Sequence, residues 1–348
     1  MAKRVSSSSW TALRNPVFRS IWLASVISGI CASAHGTAAT WAVNQFSHSA
    51  FFLSLISTFT SLPFFLFTLP AGAIADIMDR GKLVAIMHIW LAAAAGGLAV
   101  LGWFNLLNGS VILLFTFLIS IGFAFKAPAF CSLLTDMVSS KELPSATVLN
   151  GLQLDLSGMI GSALGGAVIY AIGTNTIFAV NGAAFLLMNL ALLQWRGPKE
   201  QSQSAMENFF QSFATAVHYV RYTPGMQVIL VRQILFSLLV AVIPALLPVI
   251  ALNELHIGAA QLGLLYTSMG AGSVITAAFI LPWGRERYLP NTLTKLAAYL
   301  FVLVMALLAV VRQTQLLLLI DQAQSLHVGE NPPDIQMYIR VSKRFRER

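Results

Sequence analysis

The hydrophobic positions of the chain fall into long runs that polar stretches separate. A helix that crosses the hydrocarbon core of a bilayer, about 30 Å thick, needs about 20 apolar residues. Strands of a membrane barrel would alternate polar and apolar residues, and these runs do not alternate. The pattern therefore predicts nine transmembrane helices, near residues 17–43, 50–75, 83–104, 111–134, 146–171, 176–195, 226–252, 259–283 and 292–311.

The composition agrees with this interpretation. Of the 348 residues, 57% are hydrophobic and only 10% are charged, whereas a soluble domain carries roughly 25% charged residues. So little polar surface cannot cover a water-soluble globule, and we expect an all-α integral membrane protein. The sequence has no GxSxG, HExxH or P-loop motif, so we expect no enzyme, no cofactor and no ATP-driven pump. Cys31 and Cys131 lack metal-ligand spacing, which predicts no metal site.

The basic residues gather in alternate connections between the runs. Loops on the cytoplasmic side of membrane proteins carry an excess of lysine and arginine. The connections around 44–49, 105–110, 172–175 and 253–258 contain none. We therefore expect a multi-pass protein of the inner membrane with a cytoplasmic N-terminus. The net charge of +8 is then explained by the membrane topology. We expect the lipid bilayer as a partner and no nucleic acid.

The chain divides after the sixth run. A polar stretch follows, and the apolar residues from Met206 to Val220 then recur at helical spacing, which predicts an amphipathic helix at the membrane surface. Six spans, a linker and further spans are the plan of a transporter with two six-helix halves. The predicted parts are a cytoplasmic N-terminus (1–16), a six-helix half (17–195), a linker (196–225), a partial second half (226–320) and a polar basic tail (321–348).

The connection after the second run carries a recognisable motif: a glycine, an aspartate four residues on, and a basic cluster. These residues resemble the cytoplasmic signature of the major facilitator superfamily, although Ile77 replaces the usual basic residue and Asp79 the usual second glycine. The variant is familiar from the branch of bacterial exporters that resembles the enterobactin exporter and the transmembrane secretion effectors. In the family this loop latches the outward-facing state. The motif residues are Gly72, Asp76, Asp79, Arg80 and Lys82.

The resemblance implies a major-facilitator-like helical bundle that exports a small drug-like or siderophore-like molecule in exchange for protons. The fifth run contains a small-residue motif at the place of the family's antiporter signature, with serine where proline is expected. Two interpretations stay open, an antiporter motif and ordinary close helix packing. The motif comprises Gly158, Gly161, Ser162, Gly165 and Gly166.

Charged residues within a bilayer are costly and are candidates for function. Lys126 and Asp155 lie at similar depths, roughly 15–20 Å from the connection between the fourth and fifth helices. We predict that they pair, either as a proton switch or as a lock between two helices; alternatively, Lys126 snorkels and Asp155 bonds to backbone. Weaker candidates are His35, which also suits a packing role, and Arg232, which is placed to snorkel to the headgroups.

The last stretch, 321–348, does not resemble the family. It is polar and ends in a strongly basic segment, and no further apolar run follows. We expect a truncated second half with a disordered tail. A non-transporting membrane remnant or scaffold is therefore the alternative to a transporter, and the oligomeric state is left open.

Overall fold

The computed structural model describes residues 11–47, 49–192, 218, 221–275, 299, 300 and 303. Every regular element in these ranges is helical. In chain order they are a 3-10 turn at Thr11–Arg14, α1 (Pro16–Phe46), α2 (Ala50–Ile77), α3 (Arg80–Trp103), α4 (Gly109–Met137), α5 (Leu143–Ile172), α6 (Thr174–Leu192), α7 (Pro224–Val249), a π-helical segment at Ile250–Glu254, and α8 (Ala259–Ile275).

Seven of the described helices, α1 to α7, are long and apolar enough to cross a membrane. They coincide with the first seven predicted runs. The described part of the eighth run is α8, with 17 residues. The ninth run, the tail and the amphipathic linker helix lie outside the described residues except at isolated positions. The limits of the predicted domains stay predictions.

Polar residues next to the apolar runs fix where several helices begin. Asn15 accepts hydrogen bonds from the backbone N–H groups of Val17 and Phe18 at 3.0 and 3.3 Å. Asn108 accepts one from the N–H of Val111 at 2.9 Å. Each side chain satisfies a donor that the first turn of a helix leaves without a partner.

Successive helices run in opposite directions, so their connections alternate between the two ends of the bundle. The end that carries Arg14, Arg80, Lys82, Lys141 and Arg221 is called the basic end. The opposite end carries the connections after α1, α3, α5 and α7, which contain no lysine or arginine in their described residues.

The core differs between the two ends. At the opposite end, one buried cluster joins α1, α2, α3, α4, α5 and α6 to α7 and α8 through residues such as Ala38, Phe178, Leu247 and Leu262. At the basic end, the corresponding cluster draws its buried residues from positions 12–192 alone. Among the described residues, the two halves therefore share a core only at the opposite end.

Burial also increases along helix α7, from its first part to its second. In its first part large apolar side chains are exposed, among them Val231, Leu235 and Leu239. From Ile243 onward, every third or fourth side chain is buried, including that of Leu247. The first half of α7 thus stands clear of the described part of the bundle, and its second half packs against it.

Candidate transport site

An ion pair joins two helices at the basic end. Arg80 is the first residue of α3, and Asp136 lies one residue before the end of α4. One guanidinium nitrogen of Arg80, Nη1, donates to both carboxylate oxygens of Asp136, at 2.9 and 2.8 Å. The two side chains are 36% and 24% exposed, so water screens their attraction. The pair therefore orients the end of α4 against the start of α3 more than it stabilises the fold.

The residue before this arginine caps the same helix. The Oδ1 atom of Asp79 accepts a hydrogen bond from the backbone N–H of Lys82 at 2.9 Å. A carboxylate at this place is favourable because the first turn of a helix carries a partial positive charge. Asp79 is therefore the N-cap of α3. The side chain of Asp76 lies outside the described residues, and its place in the latch stays a prediction.

Further hydrogen bonds connect α1, α4 and α5 around this ion pair. The Nδ2 of Asn15 donates to the carbonyl of Met137 at 2.9 Å, and the backbone N–H of Ala12 donates to Oγ of Ser145 at 3.2 Å. The carboxylate of Glu142 accepts from the hydroxyl and the N–H of Ser139 at 2.8 and 3.1 Å. These two bonds, the hydroxyl's above all, lower the pKa of Glu142.

One face of α5 packs against α1 through polar and small residues. Gln153 donates to the carbonyl of Ser25 at 3.2 Å, and Ser157 donates to that of Val26 at 3.2 Å. Two turns further along, a Cβ added to Gly165 would lie 2.8 Å from the Cα of Ala34. A Cβ added to Gly161 would lie 2.7 Å from Cβ of Ser33. The two glycines therefore let α1 and α5 approach closely.

A second face of α5 packs against α8, which belongs to the other half. A Cβ added to Gly166 would lie 2.6 Å from the carbonyl oxygen of Ala259 and 2.9 Å from the Cα of Gly263. One turn or more toward the basic end, Oγ1 of Thr267 donates to the carbonyl of Met159 at 3.1 Å. The two halves thus meet backbone to backbone.

A hydrogen bond between α2 and α7 adds to this contact. Pro248 has no N–H, so the carbonyl of Pro244, four residues earlier, loses its helical donor. Oγ of Ser57 donates to that carbonyl at 2.6 Å. We call the contacts of α5 with α8 and of α2 with α7 the inter-half seam.

Two glycines of the predicted motifs have no such role. A Cβ added to Gly72 or to Gly158 would meet no described atom within 4 Å. Neither glycine therefore lies at a close helix contact among the described residues, and the place of both in the predicted motifs stays a prediction. Ser162, in contrast, is 7% exposed and lies within the inter-half seam, where its carbonyl approaches Gly263.

The intramembrane charges have different surroundings. The ammonium of Lys126 lies 4.8 Å from the ring centre of Phe123 and 5.9 Å from that of Phe130, both on α4. Asp155 lies one turn before Met159, on the stripe of α5 that faces α8. The pair of Lys126 with Asp155 stays a prediction.

The weaker candidates, His35 and Arg232, also differ in their surroundings. His35 is 5% exposed, its ring centre lies 4.7 Å from that of Phe178, and neither ring nitrogen has a hydrogen-bond partner among the described residues. Arg232 is exposed in the first half of α7, as snorkelling requires. His88 is 1% exposed, and its Nδ1 forms a hydrogen bond with the carbonyl of Val84 at 2.8 Å.

A family model described as "Transmembrane secretion effector" matches residues 7–323. The chain belongs to the transmembrane secretion effector family. It has the fold of major facilitator transporters. A crystal structure of a bacterial homolog to the human lysosomal transporter Spinster, inward-facing and unoccupied, superposes with a TM-score of 0.64 at 17% identity, covering 91% of this chain and 74% of that one. The family resemblance predicted from the sequence is confirmed.

Two curated relatives of this chain are exporters by name. Macrolide efflux protein A of Streptococcus pyogenes is 23% identical over 261 residues, which cover 74% of this chain and 64% of the relative. Enterobactin exporter EntS of Citrobacter koseri is 27% identical over 270 residues, covering 76% and 62%. The chain therefore spans less than two thirds of the length of either relative.

Proposed function

We propose that this chain forms the transport unit of an efflux transporter that carries a small drug-like or siderophore-like molecule outward across the inner membrane. One observation carries the proposal: among the described residues, the two halves share a buried core at the opposite end, while the basic-end core draws its residues from the first half. With the basic end in the cytoplasm, as the lysine and arginine distribution predicts, this arrangement is open inward. A substrate enters from the cytoplasm in this state.

The inter-half seam is the element that must open for release on the outer side. Its glycines allow backbone contact without interlocking side chains, so the helices can separate without unthreading large groups. At the basic end, Arg80 and Asp136 are tied within the first half. In the outward-open state the latch residues Gly72, Asp76 and Lys82 would meet the second half. Exchange against protons is part of this proposal.

The relatives' names support export, and the family and fold point to a transporter rather than to an enzyme class. The alternative of a non-transporting remnant is not favoured by these relationships.

Uptake into inside-out vesicles tests the proposal. Vesicles that contain the full chain receive a labelled macrolide or a labelled catecholate siderophore, with a pH gradient or after a protonophore has collapsed it; vesicles without the chain are the control. We expect accumulation of at least one compound and its loss with the gradient. Accumulation that does not depend on the gradient would refute proton exchange. If neither compound accumulates above the control, the remnant alternative replaces the transporter.

A further inference from the structure

The membrane part of the first half contains a cation, Lys126, whose described contacts are with aromatic rings. Lys126 sits in the middle of α4, 11 residues before the end of this helix at Met137, or about 16 Å from it at the helical rise. No carboxylate oxygen of the described residues lies within ion-pair distance of its ammonium. A charge held in this environment without an opposite charge is costly.

Two aromatic faces partly compensate this charge. Phe123 and Phe130 lie three residues before and four residues after Lys126, so all three side chains share one face of α4. The ammonium lies within the usual range of a cation–π contact, at 4.8 and 5.9 Å from the two ring centres. Phe123 is itself held edge-on by the buried Phe185 of α6, with 5.9 Å between ring centres.

The ammonium is therefore oriented by the two rings, and the described residues supply no anion for it. The Lys126 side chain is partly exposed among the described residues. The basic end, toward which the lysine lies, is also the end at which the described halves share no core. A ligand that completes this group needs a negative charge for the ammonium and a flat apolar body for the phenyl faces.

We infer that Lys126, Phe123 and Phe130 form a binding site for an organic anion with an aromatic body, and that the transported substrates belong to this class. The second part rests on the proposed transport function. The first part concerns binding alone, so the two can be tested separately.

Binding is measured on the purified full chain in detergent with two probes that share one ring system. 2-Naphthalenesulfonate carries a permanent negative charge, and 2-naphthyltrimethylammonium carries a permanent positive charge. We expect the wild-type protein to bind the anion at least about 10-fold more tightly than the cation, as a charge-assisted contact allows. Equal affinities for the two probes, or no binding of the anion up to about 1 mM, would overturn the site without any variant.

Substitutions then assign the effect to the ammonium. Lys126→Gln should weaken binding of the anionic probe at least about 10-fold, and binding of the cationic probe should stay unchanged or become tighter. Lys126→Arg should keep the anion within a few-fold, because arginine retains the charge and stacks on aromatic faces. Lys141→Gln removes the same charge from the exposed α4–α5 connection and serves as the matched control, with no expected change.

Unchanged anion affinity in Lys126→Gln, or an equal loss in Lys141→Gln, would refute the assignment. Phe123→Leu keeps the charge and removes one ring, and a few-fold loss of affinity for the anion is expected; no loss would remove the ring from the site.

Vesicle uptake of the same two probes separates the two proposals. Charge-selective binding without uptake would refute transport of this substrate class and leave the site standing. Uptake of the cation in preference to the anion would refute the substrate class and leave transport standing.

Discussion

Adding a side chain at Gly166 should weaken the inter-half seam. A Cβ at this position would lie 2.6 Å from the carbonyl oxygen of Ala259 and 2.9 Å from the Cα of Gly263. Both neighbours are backbone atoms, which cannot rotate away, so Gly166→Val must push α8 off α5. Overpacking of this kind costs about 1–3 kcal/mol. If the cost falls on the inward-open state alone, it shifts the equilibrium toward the outward-open state by about 5- to 150-fold.

The chain offers a matched control on the same helix. Gly158→Val makes the identical substitution where no described atom lies within 4 Å of the added Cβ. Both variants carry the same change in helix propensity, so a difference between them reports the seam.

A thiol at the seam reports its opening. Ser162→Cys places one at a position that is 7% exposed, after Cys31 and Cys131 have been replaced by serine. We measure its labelling rate by a membrane-impermeant reagent added from the outer side. Labelling should accelerate with Gly166→Val and stay slow with Gly158→Val. Equal rates in the two variants would refute the assignment of this seam as the outer gate.

Three further predictions concern single hydrogen-bonded groups. Asp136→Asn should change the free energy of unfolding by less than about 1 kcal/mol because its partner Arg80 is exposed, yet slow vesicle uptake; unchanged uptake would remove the pair from the transport cycle. Ser57→Ala leaves the carbonyl of Pro244 without a donor and should destabilise the inward-open protein by roughly 1 kcal/mol in a thermal melt. Glu142 has a pKa below its ordinary value of 4.5, so its stabilising contribution is present above pH 4.5 and is lost as the pH falls through its folded-state pKa; Glu142→Gln should flatten that part of a melting-temperature profile.

The membrane helices could be predicted from sequence because each has to satisfy its own backbone hydrogen bonds. A run of apolar residues then fixes a helix without knowledge of its neighbours. The run at 83–104, for instance, becomes Arg80–Trp103, and the three added residues follow from the cap at Asp79. The seam glycines were also visible, since small residues recur at positions 161, 165 and 166.

The partners of the charged groups could not be predicted in the same way. Arg80 pairs with Asp136, 56 residues away, because α3 packs beside α4 at the basic end. The signal was an acidic residue at the end of the fourth run, on the same side as the basic turn. The position of a residue along a helix predicts its depth in the membrane but does not predict the direction in which its side chain points. Lys126 and Asp155 lie at similar heights, yet Lys126 points to aromatic rings and Asp155 lies on the stripe that faces α8.

The two ends of the bundle depend on different physical interactions, so they are expected to respond to different perturbations. At the opposite end the halves meet through backbone contacts at Gly166 and one hydrogen bond to Pro244, neither of which involves a net charge. At the basic end the described contact between Arg80 and Asp136 is ionic and partly exposed, so water and dissolved salt weaken it. Ionic strength therefore acts mainly on the basic end, whereas side-chain volume acts on the inter-half seam. In the proposed transport cycle the two ends are not open together, so a perturbation confined to either end is expected to change the population of the same two states.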